Sequence, residues 1–459
     1  MTYVLGIDSS TQSCKALLVD AHTGRVVDEG RSTHPSGTQV DPQSWIKAME
    51  HATAGLLEHA DAVSVAGQQH GMVALAKAGD VVRPAMLWND TSSAPQAEAL
   101  VAELGGPAES ASLTGSVLVA SFTGTKLRWL RDNEPDNAAR VTSVALPHDY
   151  LTWHLGGRKE LTTDHGDASG TGYYSTWQRK FVPDLAESYL GHTVNLPRIA
   201  APNEIVGRTS TGAAIAAGTG DNMAAALGLD LQPGDVCVSI GTSGVASAVS
   251  DRSVHDPSGL VTGFADATGN YLPLACTLNG AKVLDFAAMV LGVDHSGLSE
   301  LALAGTPGAH GVTLLPYFDG ERTPNRPSAT GLFSGIRTST TREDIARAVI
   351  EGLLCSMLDA IEAVENAMES RARRVLVIGG GARSEAMRVI APQIFGVDVA
   401  VPDPSEYVAL GAARQAAWAL SGADTPPQWD RAGTTTYTGD HDAETVARYK
   451  KIRDLSEEF

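Results

Sequence analysis

The chain has 459 residues, of which 43% are hydrophobic and 47 are glycine, and its formal net charge is −19. This length is sufficient for two or three domains, and the composition is typical of a turn-rich α/β protein rather than a disordered one. The acidic charge argues against nucleic acid and anionic membranes as partners. The sequence shows no signal-like segment and no run of 18 apolar residues, so we expect a cytoplasmic protein. Four scattered cysteines without C-x-x-C spacing are predicted to be buried free thiols and give no zinc site: Cys14, Cys237, Cys276 and Cys355.

The first predicted element is a β-hairpin whose turn is rich in hydroxyl groups. The apolar run 3–5 precedes the segment Gly6 to Ser13, and a second apolar run over 16–19 follows it. Successive backbone N–H groups in a tight turn form a concavity that accepts phosphate oxygens. Asp8 lies between the strand and these hydroxyls, within reach of a Mg²⁺ ion that bridges phosphates. An aspartate that only closes the turn is the alternative interpretation of Asp8.

Two polar clusters follow at the ends of later apolar runs. A helix is predicted over 42–57, a strand over 62–66, and another apolar approach over 84–87. Proteins of the α/β class place ligands at such strand ends. The amides, imidazole and carboxylate of these clusters suit a ligand with many hydroxyl groups. The alternative interpretation of His70 is a structural histidine, and that of Trp88 is a core tryptophan. The residues are Gln68, Gln69, His70, Trp88, Asn89 and Asp90.

The best catalytic candidate comes at the end of the N-terminal half. The segment Gly218 to Asn222 opens a small-residue helix, and its glycines remove bulk from around Asp221. A carboxylate at that position can accept a proton from a substrate hydroxyl, and a helix N-cap is the alternative role. Upstream, the polar, glycine-rich stretch 162–172 is too polar for a core and is predicted to be a functional loop.

A second hairpin of the same type begins after a predicted boundary at 231–235. The apolar runs 236–238 and 245–249 flank the turn Ser239 to Gly244. Two such turns indicate two related domains that grip one polyphosphate. An amphipathic helix over 345–364 then leads to a strand and the glycine turn Gly379 to Gly381, which either admits an adenosine or serves only for packing. The polar residues after about 430 show no obvious strand, so we expect a peripheral tail.

In this order, the segments resemble the FGGY carbohydrate kinases of the actin-like ATPase superfamily. The resemblance rests on two phosphate hairpins, two substrate segments, a catalytic segment, a C-domain signature and an adenosine loop. The segment with Gln68 and His70 resembles that of the xylulose-phosphorylating members. Ser92 departs from the pattern, because many relatives have an arginine at that position. The phosphate hairpins are Gly6–Lys15 and Ser239–Gly244, the substrate segments are Gly67–Gly71 and Leu87–Asp90, and the catalytic segment is Gly220–Asn222. The C-domain signature is Leu315–Arg322 with Gly331–Gly335, and the adenosine loop is Gly379–Ser384.

The resemblance implies two actin-like ATPase domains of the ribonuclease-H-like α/β type around a central cleft. Residues 1–230 would form the sugar-side domain, 231–430 the nucleotide-side domain, and 431–459 the tail. It also implies the cofactors ATP and Mg²⁺, and phosphorylation of the 5-hydroxyl of D-xylulose. Another ketose, a polyol or an aldonate is the alternative substrate, and a sugar and ATP sensor without catalysis is the alternative class. The sequence leaves the oligomeric state open, with a homodimer among the options.

The resemblance also implies a role for each site residue. Asp221 would be the general base and Asp8 the metal-side carboxylate. The substrate would contact Gln68, Gln69, His70, Trp88, Asn89, Asp90 and Asn222. ATP would contact Thr11, Gln12, Ser13, Lys15, Gly241, Thr242, Ser243, Gly379, Gly380, Gly381, Ala382 and Ser384.

Overall fold

Strands and helices alternate along the N-terminal half of the chain. The computed structural model describes residues 1–429 and 433–456. The strands up to residue 231 are β1 (Tyr3–Ser9), β2 (Ser13–Asp20), β3 (Val26–Thr33), β4 (Gln39–Val40), β5 (Ala62–Gly67), β6 (Val73–Leu75), β7 (Ala85–Met86), β8 (Ser143–Ala145), β9 (Thr162–Thr163), β10 (Tyr174–Ser175), β11 (Lys180–Phe181), β12 (Arg198–Ile199), β13 (Ile205–Arg208), β14 (Ala214–Ala216) and β15 (Thr219–Gly220). The helices are α1 (Gln43–Thr53), α2 (Ala94–Glu103), α3 (Pro107–Thr114), α4 (Thr123–Asn133), α5 (Pro135–Ala138), α6 (Pro147–Leu155), α7 (His165–Ala168), α8 (Pro183–Leu190) and α9 (Asp221–Gly228).

The C-terminal half continues the alternation with longer helices. Its strands are β16 (Asp235–Ile240), β17 (Gly244–Ala248), β18 (Thr262–Ala265), β19 (Tyr271–Thr277), β20 (Thr313–Leu315), β21 (Leu332–Ser334), β22 (Arg374–Ile378), β23 (Val399–Pro402) and β24 (Thr434–Tyr437). Its helices are α10 (Lys282–Leu291), α11 (His295–Ala304), α12 (Arg342–Met368), α13 (Glu385–Phe395), α14 (Tyr407–Ser421) and α15 (Ala443–Leu455). Short 3-10 helices cover Leu57–His59, Ala309–Gly311 and Gly380–Arg383.

The described residues form two units, each built from separate segments of the chain. The first unit contains residues 1–231, 251–272 and 406–429, and the second contains 232–250, 273–405 and 433–456. The sequence had predicted domains that follow one another along the chain, with boundaries at 230 and 430. No helix among the described residues is both long enough and apolar enough to span a membrane.

The central sheet of the first unit has the strand order β13-β14-β5-β1-β2-β3, and β15 extends the line of β14 along β5. The predicted hairpin is present as β1 and β2, which pair antiparallel with Ser9 opposite Cys14. Its turn is shorter than predicted, because Gly6 to Ser9 belong to β1. Gly6 serves packing: a Cβ atom there would lie 1.9 Å from the Ala409 carbonyl oxygen of α14.

Alternation of side chains along β1 separates two apolar layers. Leu5 and Ile7 pack with the buried Trp45 of α1 on one face, and Val4 packs with alanines of α14 on the other. Helix α14 also crosses α9 at very close range, since a Cβ atom on Gly411 would lie 1.8 Å from the Ala224 carbonyl oxygen. This glycine contact fixes the helix that begins with Asp221.

The sheet of the second unit runs β19-β17-β16-β22-β23-β24. The second predicted hairpin is present as the antiparallel pair β16 and β17. Helix α12 begins with a Thr341 N-cap and covers the predicted span; Val349, Leu353 and Met357 are buried, and Ile345 is only partly buried.

The segment after residue 432 differs from the tail that the sequence predicted. Strand β24 pairs antiparallel with β23, with Thr436 opposite Ala400. Helix α15 buries Val446 and Tyr449, and the Tyr449 hydroxyl lies 3.4 Å from that of Tyr317. The strand was missed because its three threonines look polar, although β-branched residues favour strands. The described part of this segment is therefore integral to the second unit.

Candidate active site

The pairing register of the first sheet brings Asp8 and Asp221 to the same edge. In the parallel pair of β1 and β5, Asp8 lies opposite Ala66, and in the parallel pair of β15 and β5, Thr219 lies opposite the same Ala66. Asp221 follows two residues after Thr219 and is the first residue of α9. Two carboxylates from distant parts of the sequence thus converge at the carboxyl end of β5.

Asp221 is half-buried and does not cap its helix. The N-cap position is held by Gly220, and the Asp221 Oδ1 atom accepts hydrogen bonds from the Asn222 backbone N–H at 2.8 Å and from Asn222 Nδ2 at 3.2 Å. Burial raises the pKa of Asp221 to about 7, and the negative charges of Asp8 and Asp167 act in the same direction. A carboxylate with this pKa can accept a proton near neutral pH.

Asp8 is buried at the end of β1 beside a hydroxyl and a cation. Burial raises the pKa of Asp8 to about 6, although the Ser10 hydroxyl donates a hydrogen bond to its Oδ1 atom and so lowers it. The Lys15 Nζ atom lies 3.9 Å from Asp8 Oδ2 and forms a closer ion pair of 2.5 Å with Glu406. At pH 8 the Asp8 carboxylate is therefore ionised, and it offers the hard oxygen donor that Mg²⁺ requires.

The predicted substrate segment follows β5 and carries polar atoms without a protein partner. Gln68 is fully buried, and within residues 1–429 and 433–456 neither its Nε2 nor its Oε1 atom has a hydrogen-bond partner. Gln69 Oε1 accepts a hydrogen bond of 2.9 Å from Asn222 Nδ2, which joins this segment to the helix of Asp221. Buried polar groups are nearly always paired, so an amide without a protein partner is available to a ligand or to an ordered water.

His70 is held in an unusual backbone conformation beside the same strand. Its φ is 67°, its Nδ1 atom lies 2.7 Å from the Gly170 carbonyl oxygen, and the Thr123 hydroxyl donates to its backbone oxygen. Its ring lies 5.0 Å from the Phe122 ring and 5.5 Å from the Phe264 ring, measured between centroids. Aromatic packing on two sides fixes the orientation of the imidazole.

The second predicted substrate segment divides into exposed and internal groups. The Trp88 side chain is 46% exposed, and its Nε1 atom donates a hydrogen bond to the Thr11 hydroxyl at 2.9 Å. A residue predicted to bind the substrate thus contacts a residue predicted to bind ATP. The buried Asp90 carboxylate accepts hydrogen bonds from Gln39 Nε2 and from the backbone N–H of Ser92. Asp90 therefore organises the loop around it. The Ser92 hydroxyl also donates a hydrogen bond to Asp90.

The structure brings a group of buried charged residues to this site that the sequence did not single out. The stretch 162–172 was expected to be a functional loop, but it forms the buried β9 and α7. Asp167 on α7 lies close enough to raise the pKa of Asp221, and His148 on α6 contacts Asp167. One signal in the sequence could have located these residues: Asp164 stands three residues before Asp167, a spacing typical of an N-cap aspartate and the backbone N–H that it binds.

In the first unit, the remaining nucleotide candidates lie at the hairpin turn. Gln12 is exposed, and its carbonyl oxygen accepts from the His34 backbone N–H at 2.9 Å, while Ser13 is buried at the start of β2. Thr11 and Gln12 thus lie in the turn, whereas Ser13 and Lys15 lie on β2.

In the second unit, the hairpin turn exposes two hydroxyls. Thr242 and Ser243 are exposed, and the Gly241 N–H donates to the Ser243 carbonyl oxygen at 3.0 Å. This arrangement leaves the Thr242 and Ser243 side chains at the surface of the turn, where hydroxyl groups can donate to phosphate oxygens.

The glycine turn after β22 combines packing with open backbone. Cβ atoms on Gly379 and Gly381 would lie 2.7 Å and 2.5 Å from atoms of Ile240, whereas a Cβ atom on Gly380 would meet no atom within 4 Å. The packing alternative therefore accounts for two of the three glycines, and Gly380 has room for a ligand. Ala382 is buried, and Ser384 is the N-cap of α13.

Two family models account for nearly the whole chain. The N-terminal domain of the FGGY family of carbohydrate kinases matches residues 3–234, and its C-terminal domain matches residues 236–420. The chain belongs to the FGGY family of carbohydrate kinases. The family predicted from the sequence is thereby confirmed, and with it an enzyme of the ATP-dependent carbohydrate kinase type.

Individual relatives agree with this assignment. The xylulose kinase of Streptomyces coelicolor is 47% identical over 436 residues, covering 92% of this chain and 89% of the relative, and that of Escherichia coli is 32% identical over 436 residues, covering 90% and 89%. The crystal structure of xylulose kinase from Bifidobacterium adolescentis superimposes with a TM-score of 0.92 at 45% identity, covering 98% of this chain and 99% of that one. The predicted actin-like ATPase fold is confirmed.

Proposed function

We propose that this protein transfers the γ-phosphoryl group of ATP to the 5-hydroxyl of D-xylulose, giving D-xylulose 5-phosphate and ADP. The observation that carries the proposal is the Asp221 carboxylate, which has a pKa of about 7 and is joined through Asn222 to Gln69. The neighbouring Gln68 amide has no hydrogen-bond partner within the described residues. The choice of D-xylulose is supported by the names of the relatives, which are xylulose kinases at up to 47% identity.

Asp221 supplies the proton acceptor for the reaction. The hydroxyl oxygen forms a bond to the γ-phosphorus while the bond from that phosphorus to the β–γ bridging oxygen breaks, and the hydroxyl proton passes to the Asp221 carboxylate. Because the transition state is loose, this proton moves late, and a carboxylate is a sufficient base. At pH 8 most Asp221 carboxyls are ionised, since their pKa is about 7.

The side chains after β5 bind the hydroxyl groups of the sugar. The buried Gln68 offers one acceptor oxygen and two donor hydrogens. Gln69 offers its Nε2 atom, which has no hydrogen-bond partner within the described residues. The rigidly packed His70 adds a third polar group. Neutral groups of this kind recognise hydroxyls without requiring charge on the ligand, which suits an uncharged ketose.

Asp8 has the chemistry expected of a carboxylate that holds Mg²⁺. It is buried, ionised at pH 8, and located at the same sheet edge as Asp221. When bound, Mg²⁺ neutralises charge on the phosphates of ATP. In the second unit, Thr242, Ser243 and the open backbone at Gly380 would bind the nucleotide. With ATP as phosphoryl donor, we further infer a cytoplasmic enzyme.

A coupled ADP-release assay tests the substrate. Purified protein with Mg·ATP is supplied with D-xylulose, D-ribulose, L-ribulose, glycerol, gluconate or D-xylose, and kcat/KM is compared. We expect D-xylulose to exceed every other compound by at least about tenfold. Higher kcat/KM for a different compound would keep the family chemistry and refute D-xylulose. ATP binding without turnover on any of them would indicate a sensor.

A further inference from the structure

A buried histidine lies beside the backbone that leads to the proposed base and has two carboxylate partners. His148 is fully buried; its Nδ1 atom lies 2.6 Å from Asp167 Oδ2, and its Nε2 atom lies 3.4 Å from Asp149 Oδ1. Burial lowers the pKa of His148, but the charges of Asp149 and Asp167 outweigh that effect and raise it to about 9. The ring is therefore an imidazolium at neutral pH.

The ring also touches the backbone that leads to both parts of the site. Gly218, with a φ of +79°, comes three residues before Asp221, and a Cβ atom there would lie 2.5 Å from His148 Cδ2. A Cβ atom on Gly67, immediately before Gln68, would lie 2.9 Å from His148 Cβ. Both glycines are needed for the close approach of α6. His148 thus supports the catalytic segment and the substrate segment together.

Asp167 is linked to the catalytic segment by a second path. Asp164 caps α7 by accepting from the Asp167 backbone N–H at 2.9 Å, and it also accepts from the Thr219 hydroxyl at 2.6 Å. Thr219 comes two residues before Asp221. Burial raises the pKa of Asp167, while the hydrogen bond and the charge of His148 lower it, and Asp167 in turn raises the pKa of His148, so each group favours the charged form of the other. Over the described residues, Asp167 Oδ1 has no hydrogen-bond partner.

We propose that His148 is a positioning residue for phosphoryl transfer: as an imidazolium it keeps Asp167 ionised and holds in place that carboxylate and the Gly218 backbone, which leads to Asp221. The negative charge of Asp167 increases the affinity of Asp221 for the proton of the substrate hydroxyl. If the cation is lost, the buried Asp167 takes up a proton and this assistance disappears. The inference rests on the proposed function, because it requires Asp221 to be the base.

Within the part of the chain that the structure describes, few charged or titratable groups surround His148 and Asp221. Asp149, Asp164, Asp167 and the buried Tyr173 face the His148 ring or its partners, and Asp8 with Asp167 faces Asp221. Burial raises the pKa of Tyr173 far above neutral, so this phenol stays uncharged. Among these groups, His148 is the cation that balances Asp167.

The variant His148→Gln tests the proposal, because glutamine keeps a donor for Asp167 but carries no charge. We expect kcat to fall by at least about tenfold while KM for sugar and for ATP changes less than about threefold. The control is His154→Gln on the same helix, where the ring is half-exposed and lies 3.7 Å from Glu50; it should keep the wild-type kcat. Asp167→Asn should reproduce the loss, and the double variant should be no worse than Asp167→Asn alone. Unchanged kcat in His148→Gln, or losses that add in the double variant, would overturn the proposal.

A spectroscopic measurement decides the charge even if a variant fails to fold. In ¹⁵N-labelled wild-type protein at pH 8, the imidazole of His148 should show the shifts of a doubly protonated ring, and a neutral ring would overturn the proposal. The rates are compared on whichever sugar the wild type phosphorylates. A different preferred sugar therefore refutes the proposed substrate alone, whereas normal turnover in Asp221→Asn refutes the base and this inference with it.

Discussion

Replacing Asp221 by asparagine should abolish most of the activity and stabilise the protein. Asparagine has nearly the same shape, and its Oδ1 atom can still accept from the Asn222 N–H, but it cannot accept the hydroxyl proton. Because a positioned base contributes about 10²- to 10⁴-fold, kcat should fall by that factor while ATP binding is retained. Both effects come from one change, because the same half-buried charge serves catalysis and opposes folding.

The expected gain in stability follows from the pKa of the carboxyl. Burial raises the pKa of Asp221 from 3.8 to about 7, so between these values the folded state binds more protons than the unfolded state. Stability is therefore lost as the pH rises through this window, and the whole penalty is present above pH 7. The shift corresponds to about 4 kcal/mol at 1.36 kcal/mol per pH unit, and partial exposure reduces the expected gain to about 2 kcal/mol.

The assay combines ADP release with denaturant unfolding at pH 8 and at pH 4. Asp221→Asn should be more stable than the wild type at pH 8 and should lose that advantage at pH 4. The control Asp184→Asn removes an exposed carboxylate on α8 and should change neither activity nor stability. Near-normal kcat in Asp221→Asn would refute Asp221 as the base, and lower stability than the wild type at pH 8 would refute the destabilising effect of its charge.

Three further outcomes are expected. In the wild type, kcat/KM for the sugar should rise with pH through about 7, because Asp221 must be ionised to act as base; a profile that stays flat from pH 5.5 to 8 would contradict this. Gly411→Ala should lose about 1–3 kcal/mol in denaturant unfolding, because its Cβ atom would lie 1.8 Å from the Ala224 carbonyl oxygen, whereas Gly380→Ala should lose nothing. Gln68→Met should leave unfolding unchanged and raise KM for the sugar at least about tenfold, because its amide atoms have no partner within the described residues; a large loss of stability would show that the amide is structural.

Local turn chemistry made several parts of the fold predictable from the sequence. Glycine and hydroxyl residues between two apolar runs specify a hairpin, and both predicted hairpins are present. A small-residue helix that starts at Asp221 was also predictable, because two glycines precede it. These features depend on neighbours in the chain, which a single sequence displays directly.

Features that depend on distant partners were not predictable in the same way. The convergence of Asp8 with Asp221 results from the register of β1 and β15 on the two sides of β5. Gly6 looked like part of a phosphate turn, but its neighbour is a carbonyl of α14, about 400 residues away in the chain. His148 could not be singled out from the sequence, because the Asp167 carboxylate that contacts it belongs to a different element.

The identity of the product tests the central claim most directly. Wild-type protein and Asp221→Asn are each incubated with Mg·ATP and D-xylulose, and the phosphorus species are followed by ³¹P NMR. We predict that the wild type converts ATP to ADP and a sugar phosphate esterified at the 5-hydroxyl in equal amounts, while Asp221→Asn forms almost none. ADP with inorganic phosphate and no sugar ester, or equal ester formation by both proteins, would contradict the account.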